Sequence, residues 1–293
     1  MLKYWIYWVN DMKTLSTVHG AISIVNAIAT GQGSALGISL ETCAEVTLTS
    51  DNLIEVIINN DKSENTGLAQ ECFKLVKMKA SESCGAKITV NSDIPIGRGL
   101  KSSSAAATAI ILSCLKAFEI VMTEKEILDL SVQASKNSGV TITGALDDTA
   151  ACFLGGLVVT NNSSNELLSR VIVNDDYSIL IHVPNHKSYT KDVNYSGSDE
   201  FIHSLDTLIS MTLEGNYLSA MSLNGMIYSR ILKQSNESAI LALKNNALAS
   251  GLSGTGPSVG VICLSENKSS ILDSWKNLDG DIITAKINNE KGL

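Results

Sequence analysis

The chain has 293 residues, 44% of them hydrophobic and 18% charged, with a net charge of −8. At roughly 150 residues per domain this suits two domains or one large one, with enough apolar material for a sizeable core and too little charge for a disordered tail protein. An acidic chain repels nucleic acid on average, and no run of roughly 18 apolar residues spans a membrane. Six cysteines lie without a C-x-x-C pair, several among apolar neighbours, and four histidines are scattered. This pattern predicts reduced, buried thiols in a cytoplasmic protein and no histidine metal cluster. The expected partner is a small molecule, with no nucleic acid and no membrane; the oligomeric state stays open.

Residues 1–11 (MLKYWIYWVND) hold two of the three tryptophans. They lack the apolar run and cleavage site of a signal peptide. They read as an extension ahead of a start at Met12, or else as an N-terminal edge strand. Residues 17–30 are small and apolar. Gly31-Gln32-Gly33 then opens a stretch ending at Gly37; β-type alternation follows it instead of a helix, which argues against a dinucleotide loop and for a flexible loop lining another site. Ile38–Thr49 and Asn52–Asn59 read as strands, Gly67–Lys79 as a helix with apolar residues at helical spacing, and Ala86–Asn91 as a short strand.

Ser102–Val121 reads as an alanine-rich helix capped by serine, and Thr123-x-x-Glu126 as a capping box opening a second helix. After a loop at Asn137–Thr143 come Gly144-Ala145-Leu146-Asp147-Asp148, then strands at Gly156–Thr160 and Tyr177–Val183, the latter stopped by Pro184. Phe201–Ser250 is helical in pattern, with Gly251 as its C-cap glycine. A tight Ser253-Gly254-Thr255-Gly256-Pro257 turn leads to a strand at Ser258–Leu264, a helix near Lys268–Leu278 and a strand at Asp281–Ile287.

The most informative stretch is Pro95-Ile96-Gly97-Arg98-Gly99-Leu100-Lys101-Ser102-Ser103-Ser104-Ala105. A strand feeds a glycine turn, which feeds a helix. Glycines let successive backbone N–H groups face a ligand, and the helix's first turn adds free N–H groups and the positive end of its dipole. The serines offer hydroxyls for phosphate oxygens or Mg2+, and Arg98 and Lys101 bring positive charge into an acidic protein. The stretch is not a Walker A loop, because Leu100 precedes Lys101 where that motif has glycine. The plain alternative is a serine-capped strand-to-helix turn. Asp147 and Asp148 enter an apolar segment, where burial disfavours the charged form. On a solvated loop they would be surface charge; in a site, one would orient or deprotonate a hydroxyl while the other holds a metal. Gly254-Thr255-Gly256 is a further turn able to approach a ligand with bare backbone.

Three elements in this order, P-x-x-x-G-L-x-S-S-S-A, G-A-x-D-D-x-x-A and S-G-T-G-P-S, resemble the GHMP kinase superfamily, and within it the archaeal shikimate kinases. The resemblance covers essentially Met12–Gly292. It implies an α+β GHMP kinase fold, with an N-terminal domain like the second domain of ribosomal protein S5 (12–165) and a ferredoxin-like C-terminal domain (166–293). It implies transfer of a phosphoryl group from ATP, with Mg2+, to the 3-hydroxyl of shikimate. Carried onto this chain, Pro95–Ala105 would wrap the phosphates and Gly254, Thr255 and Gly256 would close the site. Ser103 and Asp147 would meet the metal. The aspartate near the hydroxyl would be Asp148 or its neighbour Asp147, with Lys101 bringing its charge to a phosphate or to the transition state. The chain departs from the superfamily in three places: Lys101 stands where a glycine is usual, Asn137 where a metal-binding glutamate is found, and no N-terminal lysine matches. A cation for the substrate carboxylate would come from Arg98, Lys101, Lys187, Arg230 or Lys286. His19 and Ala27–Ala35 are further candidates to line the substrate pocket, with core packing as the alternative. Rival activities are homoserine or mevalonate phosphorylation on the same fold, or a non-catalytic nucleotide sensor.

Overall fold

The computed structural model describes residues 13–61, 64–141, 143–186, 188, 195 and 197–293. The expected extension at 1–11, its boundary at Met12, and Lys187 lie outside the described residues. Two long strands, β1 (Lys13–Val25) and β2 (Gln32–Thr49), pair antiparallel over nearly their whole length. Their alternating β-branched residues suit a pleated surface, and from Val18 onward β1 is almost continuously buried. β3 (Ile54–Ile58) and β4 (Gly85–Ser92) are parallel, joined by the crossover helix α1 (Gly67–Ala80). With β5 (Leu157–Asn161) and β6 (Glu166–Val171) they complete a six-stranded sheet in the order β3-β4-β2-β5-β6, with β1 on the other edge of β2. The domain division expected after residue 165 falls just before β6.

Helix α2 (Ser102–Ala117) lies on β1 and β2 and packs against α1, α3 (Glu124–Asn137) and α4 (Leu146–Leu154). Its alanines make this central place possible: Ala105, Ala107 and Ala109 are fully buried, and their small side chains let neighbouring elements approach closely. The capping box forms as expected, with Thr123 and Glu126 each bonding the other's backbone N–H. Two expectations at α2 fail. The helix stops at Ala117, short of the expected Val121, and its N-cap is Lys101 with no side-chain cap bond, so the serines occupy the first helical turn.

The second sheet has the order β10-β7-β9-β8, from β7 (Tyr177–Val183), β8 (Ala249–Leu252), β9 (Val259–Leu264) and β10 (Asp281–Lys286), all antiparallel. Three helices, α5 (Ile202–Leu213), α6 (Tyr217–Ile231) and α7 (Glu237–Lys244), connect β7 to β8, and α8 (Lys268–Ser274) connects β9 to β10. This is the β-α-β-β-α-β pattern of ferredoxin-like folds. Gly251 is not a helix C-cap. It sits inside β8, where an added Cβ would lie 2.6 Å from Met221 O, so only glycine lets α6 pack so tightly on the strand. The 201–250 periodicity did not separate β8 from the helices because that strand is only four residues long and buried throughout.

One apolar core runs through both sheets, from Ile22 and Leu36 to Leu252 and Ile262. The last residues return to the first sheet: Asn288 N–H donates to Gly37 O, and Leu293 and Thr17 exchange backbone bonds. All six cysteines are free, five buried and Cys43 half-buried. No helix among the described residues is long and apolar enough to cross a membrane.

Candidate active site

The loop from β4 into α2 is shaped by alternating backbone. Gly97, Gly99 and Lys101 have φ of 68°, 81° and 67°. Such a run turns N–H groups toward one side and builds an anion-binding concavity. A Cβ at Gly99 would lie 2.1 Å from Ser253 O, so the glycine lets the 253–256 turn of the second sheet seat on the loop. Leu100 is fully buried and anchors the loop from below. The first intrahelical bond of α2 runs from Ala105 N–H to Lys101 O. The N–H groups of Ser102, Ser103 and Ser104 precede it and have no partner within the helix.

Lys101 occupies the left-handed region that costs a side-chain-bearing residue about 1 kcal/mol or more. Its side chain explains why it is retained. Nζ lies 2.9 Å from Asp148 Oδ1 and donates to Ser23 Oγ at 2.7 Å, with the lysine side chain 5% and the aspartate side chain 20% exposed. Burying a charge is costly unless it is paired and hydrogen-bonded, and here the ammonium has both kinds of partner.

Asp147 and Asp148 sit in the first turn of α4, at the positive end of that helix. The Thr141 and Thr143 hydroxyls accept from Gly144 and Ala145 N–H and so shape the entry to the helix. Asp147 is buried, and its Oδ1 accepts from Asn162 Nδ2 at 2.9 Å. Burial, and then the Asp148 charge, push its carboxyl up to about 7, against the opposing pull of Lys101 and Asn162.

These groups line a cavity of about 600 Å³ that also receives Ile96, Gly97, Gly99, Ser102, Ser103, Ser104, Gly254 and Thr255. Part of its wall is apolar, from Ile58, Leu68 and Val90 of β3, α1 and β4. The structure thus brings three separated sequence motifs to one cavity. It uses other expected residues differently. Leu100 and Ala105 are core residues. Gly256 backs the turn against Leu252. Pro95 and Arg98 line a smaller neighbouring recess of about 300 Å³. The Arg98 guanidinium is spent on main chain, donating to the carbonyls of Pro184, Asn185 and His186. Arg230 and Lys286 are exposed, so Lys101 is the one cation lining the cavity among the described residues. Asn137 is exposed and donates to Glu71 Oε1 at 2.7 Å. Among the described residues no group of three or more His, Cys, Asp or Glu side chains forms a metal cluster.

Ala27 and Ile28 line the cavity and His19 does not. The expected flexible loop at 31–37 is instead mostly the start of β2. Gly33 presses on Asp147 there, and an added Cβ would lie 2.4 Å from Asp147 Oδ2. Sequence reading missed Ser23, Asn26 and Asn162. Asn26 Nδ2 donates to Gly254 O at 3.1 Å, and its own N–H donates to Asn224 Oδ1 at 3.0 Å, tying the end of β1 to the β8–β9 turn and to α6. Nothing in the small apolar run at 17–30 marks the contacts of Ser23 and Asn26.

A family model described as GHMP kinases N terminal domain matches residues 67–156. Among curated proteins, the chain is 36% identical to a shikimate kinase of Methanothrix thermoacetophila, covering 95% of each chain. It is 37% identical to a shikimate kinase of Methanosarcina acetivorans (94% of each) and 33% identical to one of Pyrococcus furiosus (94% of this chain, 99% of the relative). In solved structures its fold is similar to a mevalonate kinase of Methanococcus jannaschii, with a TM-score of 0.77 and 15% identity over 96% of this chain and 100% of the other. It is likewise similar to a homoserine kinase of Cytophaga hutchinsonii, with a TM-score of 0.78 and 17% identity over 97% and 98%. Aligned over nearly its whole length with such relatives, and carrying their fold, the chain belongs to the archaeal shikimate kinase family of GHMP kinases.

Proposed function

We propose that the protein transfers the terminal phosphoryl group of ATP to the 3-hydroxyl of shikimate, giving ADP and 3-phosphoshikimate, a step toward chorismate and the aromatic amino acids. Full-length similarity to relatives named shikimate kinase supports the substrate. The observation that carries the reaction type is the Lys101–Asp148 pair, buried at the lysine and part-buried at the aspartate, at the joint mouth of α2 and α4.

In this reading the N–H groups of the 96–104 segment hold the anionic tail of the nucleotide, and the 254–256 turn closes over it. The Ile58, Leu68 and Val90 wall takes the base. Asp148 orients the acceptor hydroxyl and receives its proton. The Lys101 ammonium stands where negative charge spreads over the transferring group. Phosphoryl transfer passes through a loose transition state, so fixed charges and positioning supply most of the acceleration.

The cavity wall offers carboxylate and hydroxyl oxygens, the donor set a hard cation prefers. It therefore fits Mg2+, which Ser103 and Asp147 would hold together with the nucleotide's phosphates. The ion would neutralise phosphate charge when bound.

The test is ADP release measured side by side with shikimate, homoserine and mevalonate. Turnover with shikimate alone is expected. Turnover only with another alcohol would reassign the substrate, and nucleotide binding with no turnover at all would favour a sensor. The paired buried charges speak against a sensor, since a site that only binds nucleotide gains little from burying an acid next to an ammonium.

A further inference from the structure

Ser23 belongs neither to the phosphate loop nor to the acid pair, yet its hydroxyl touches both halves of the site. It lies near the end of β1, where the β1–β2 register slips between Ser23 and Val25. An extra residue of this kind re-aims side chains on the bulged strand. Ser23 is 2% exposed and lines the cavity. Its Oγ accepts from Lys101 Nζ at 2.7 Å and from Gly254 N–H at 2.9 Å. Its own N–H donates to Ser253 Oγ at 3.1 Å, and Ser253 Oγ in turn donates to Gly99 O at 2.8 Å. The position of a Cβ on Gly254 is 3.0 Å from Lys101 Nζ, so the turn closes directly over the ammonium.

A hydroxyl has two lone pairs. Here one meets the ammonium that pairs with Asp148 and the other meets the glycine turn of the second sheet. Moving the turn away would take one donor from Ser23 and leave the lysine head with fewer fixed contacts. We propose that Ser23 is a positioning residue that ties the 253–256 turn to the Lys101–Asp148 pair, so that the ammonium is correctly placed only when the turn is seated on the phosphate loop. The inference rests on the cavity being a phosphoryl-transfer site, and it adds a residue that acts through Lys101 without touching the reacting atoms.

The experiment is a double-mutant cycle with Ser23→Ala, Lys101→Met and both together, read in steady-state kinetics and in urea denaturation. Ser23→Ala is expected to lower kcat about 10- to 100-fold while changing the KM for ATP by less than about threefold. Ser23→Thr, which keeps the hydroxyl, is expected to recover most of kcat. In the Lys101→Met background the same Ser23→Ala change is expected to cost less than about twofold, because its partner is gone. Wild-type kcat in Ser23→Ala, or an equal loss in both backgrounds, would overturn the proposal. Denaturation separates this from the functional reading. Ser23→Ala is expected to shift the urea midpoint more with Lys101 present than with Met there, whatever the enzyme turns over. Equal shifts would overturn the link, whereas absence of turnover with every acceptor would overturn only the assigned reaction.

Discussion

Lys101 Nζ and Asp148 Oδ1 stand 2.9 Å apart, the first reaching in from the N-cap of α2 and the second from the first turn of α4. Two helix N-termini thus open on one cavity, and each adds a positive dipole end to it. An anionic ligand is favoured there, and the Lys101 ammonium is kept from dominating the site by the carboxylate against it.

Asp148→Asn keeps the shape of the side chain and removes the proton acceptor. Turnover should fall by about 10²- to 10⁴-fold, while ATP affinity should stay within about tenfold, or about 1.4 kcal/mol. Steady-state kinetics together with equilibrium nucleotide binding check both parts. Near-normal turnover would remove Asp148 from the chemistry.

At Lys101 the backbone and the charge can be separated. Lys101→Gly and Lys101→Ala both delete the ammonium, but only glycine adopts a φ of 67° without strain. Both variants should lose most activity. The glycine variant should be the more stable by about 1 kcal/mol, read from denaturation midpoints. An alanine variant as stable as the glycine one would mean that the loop relaxes out of the left-handed conformation.

Gly33→Ala is expected to destabilise the protein by about 1–3 kcal/mol, the usual cost of overpacking. The new methyl would lie 2.4 Å from Asp147 Oδ2 and 2.8 Å from Ala27 Cβ, and Asn162 holds the other oxygen of that carboxylate. Chemical denaturation measures the effect. A neutral result would show that Asp147 moves freely, against its place in the hydrogen-bonded network.

His182, which does not line the cavity, carries a pH dependence. Its ring packs on Trp275 at 5.8 Å between centroids, and Nε2 meets Asp279 O. Burial lowers its pKa below 6.5, against the pull of the Asp279 carbonyl and the Asp279 and Glu237 charges. A histidine whose folded pKa is depressed binds fewer protons folded than unfolded. Its stabilising effect is complete above the unfolded value and is lost as pH falls through the folded one. Urea midpoints at about pH 7.5 and about pH 5 should therefore differ less in His182→Gln than in the wild type. His19, lowered mainly by burial as well, contributes a similar slope that the variant leaves in place.

Much of the architecture was legible from the chain. The β7 boundaries, the capping box at Thr123 and the β-α-β ending follow from short-range rules of alternation, capping and turn chemistry. The glycine loop and the serines of α2 were legible for the same reason, since free N–H groups at a helix start are a local property. Other features escaped. Gly251 reads as a cap locally and is a strand residue because α6 packs on it. Arg98 reads as a phosphate ligand and instead holds the carbonyls of 184–186.

The division has a physical cause. Which segments alternate, which cap, and where backbone N–H groups are left without helical partners depend on neighbours within a few residues and can be read along the chain. Packing between distant segments brings the Lys101 ammonium to Asp148 and Ser23, lays Asp147 beneath Gly33 and closes Gly254 over the lysine head. Those pairings join residues far apart in the chain, and they are settled by which surfaces pack together and by the cost of leaving a buried charge without a partner.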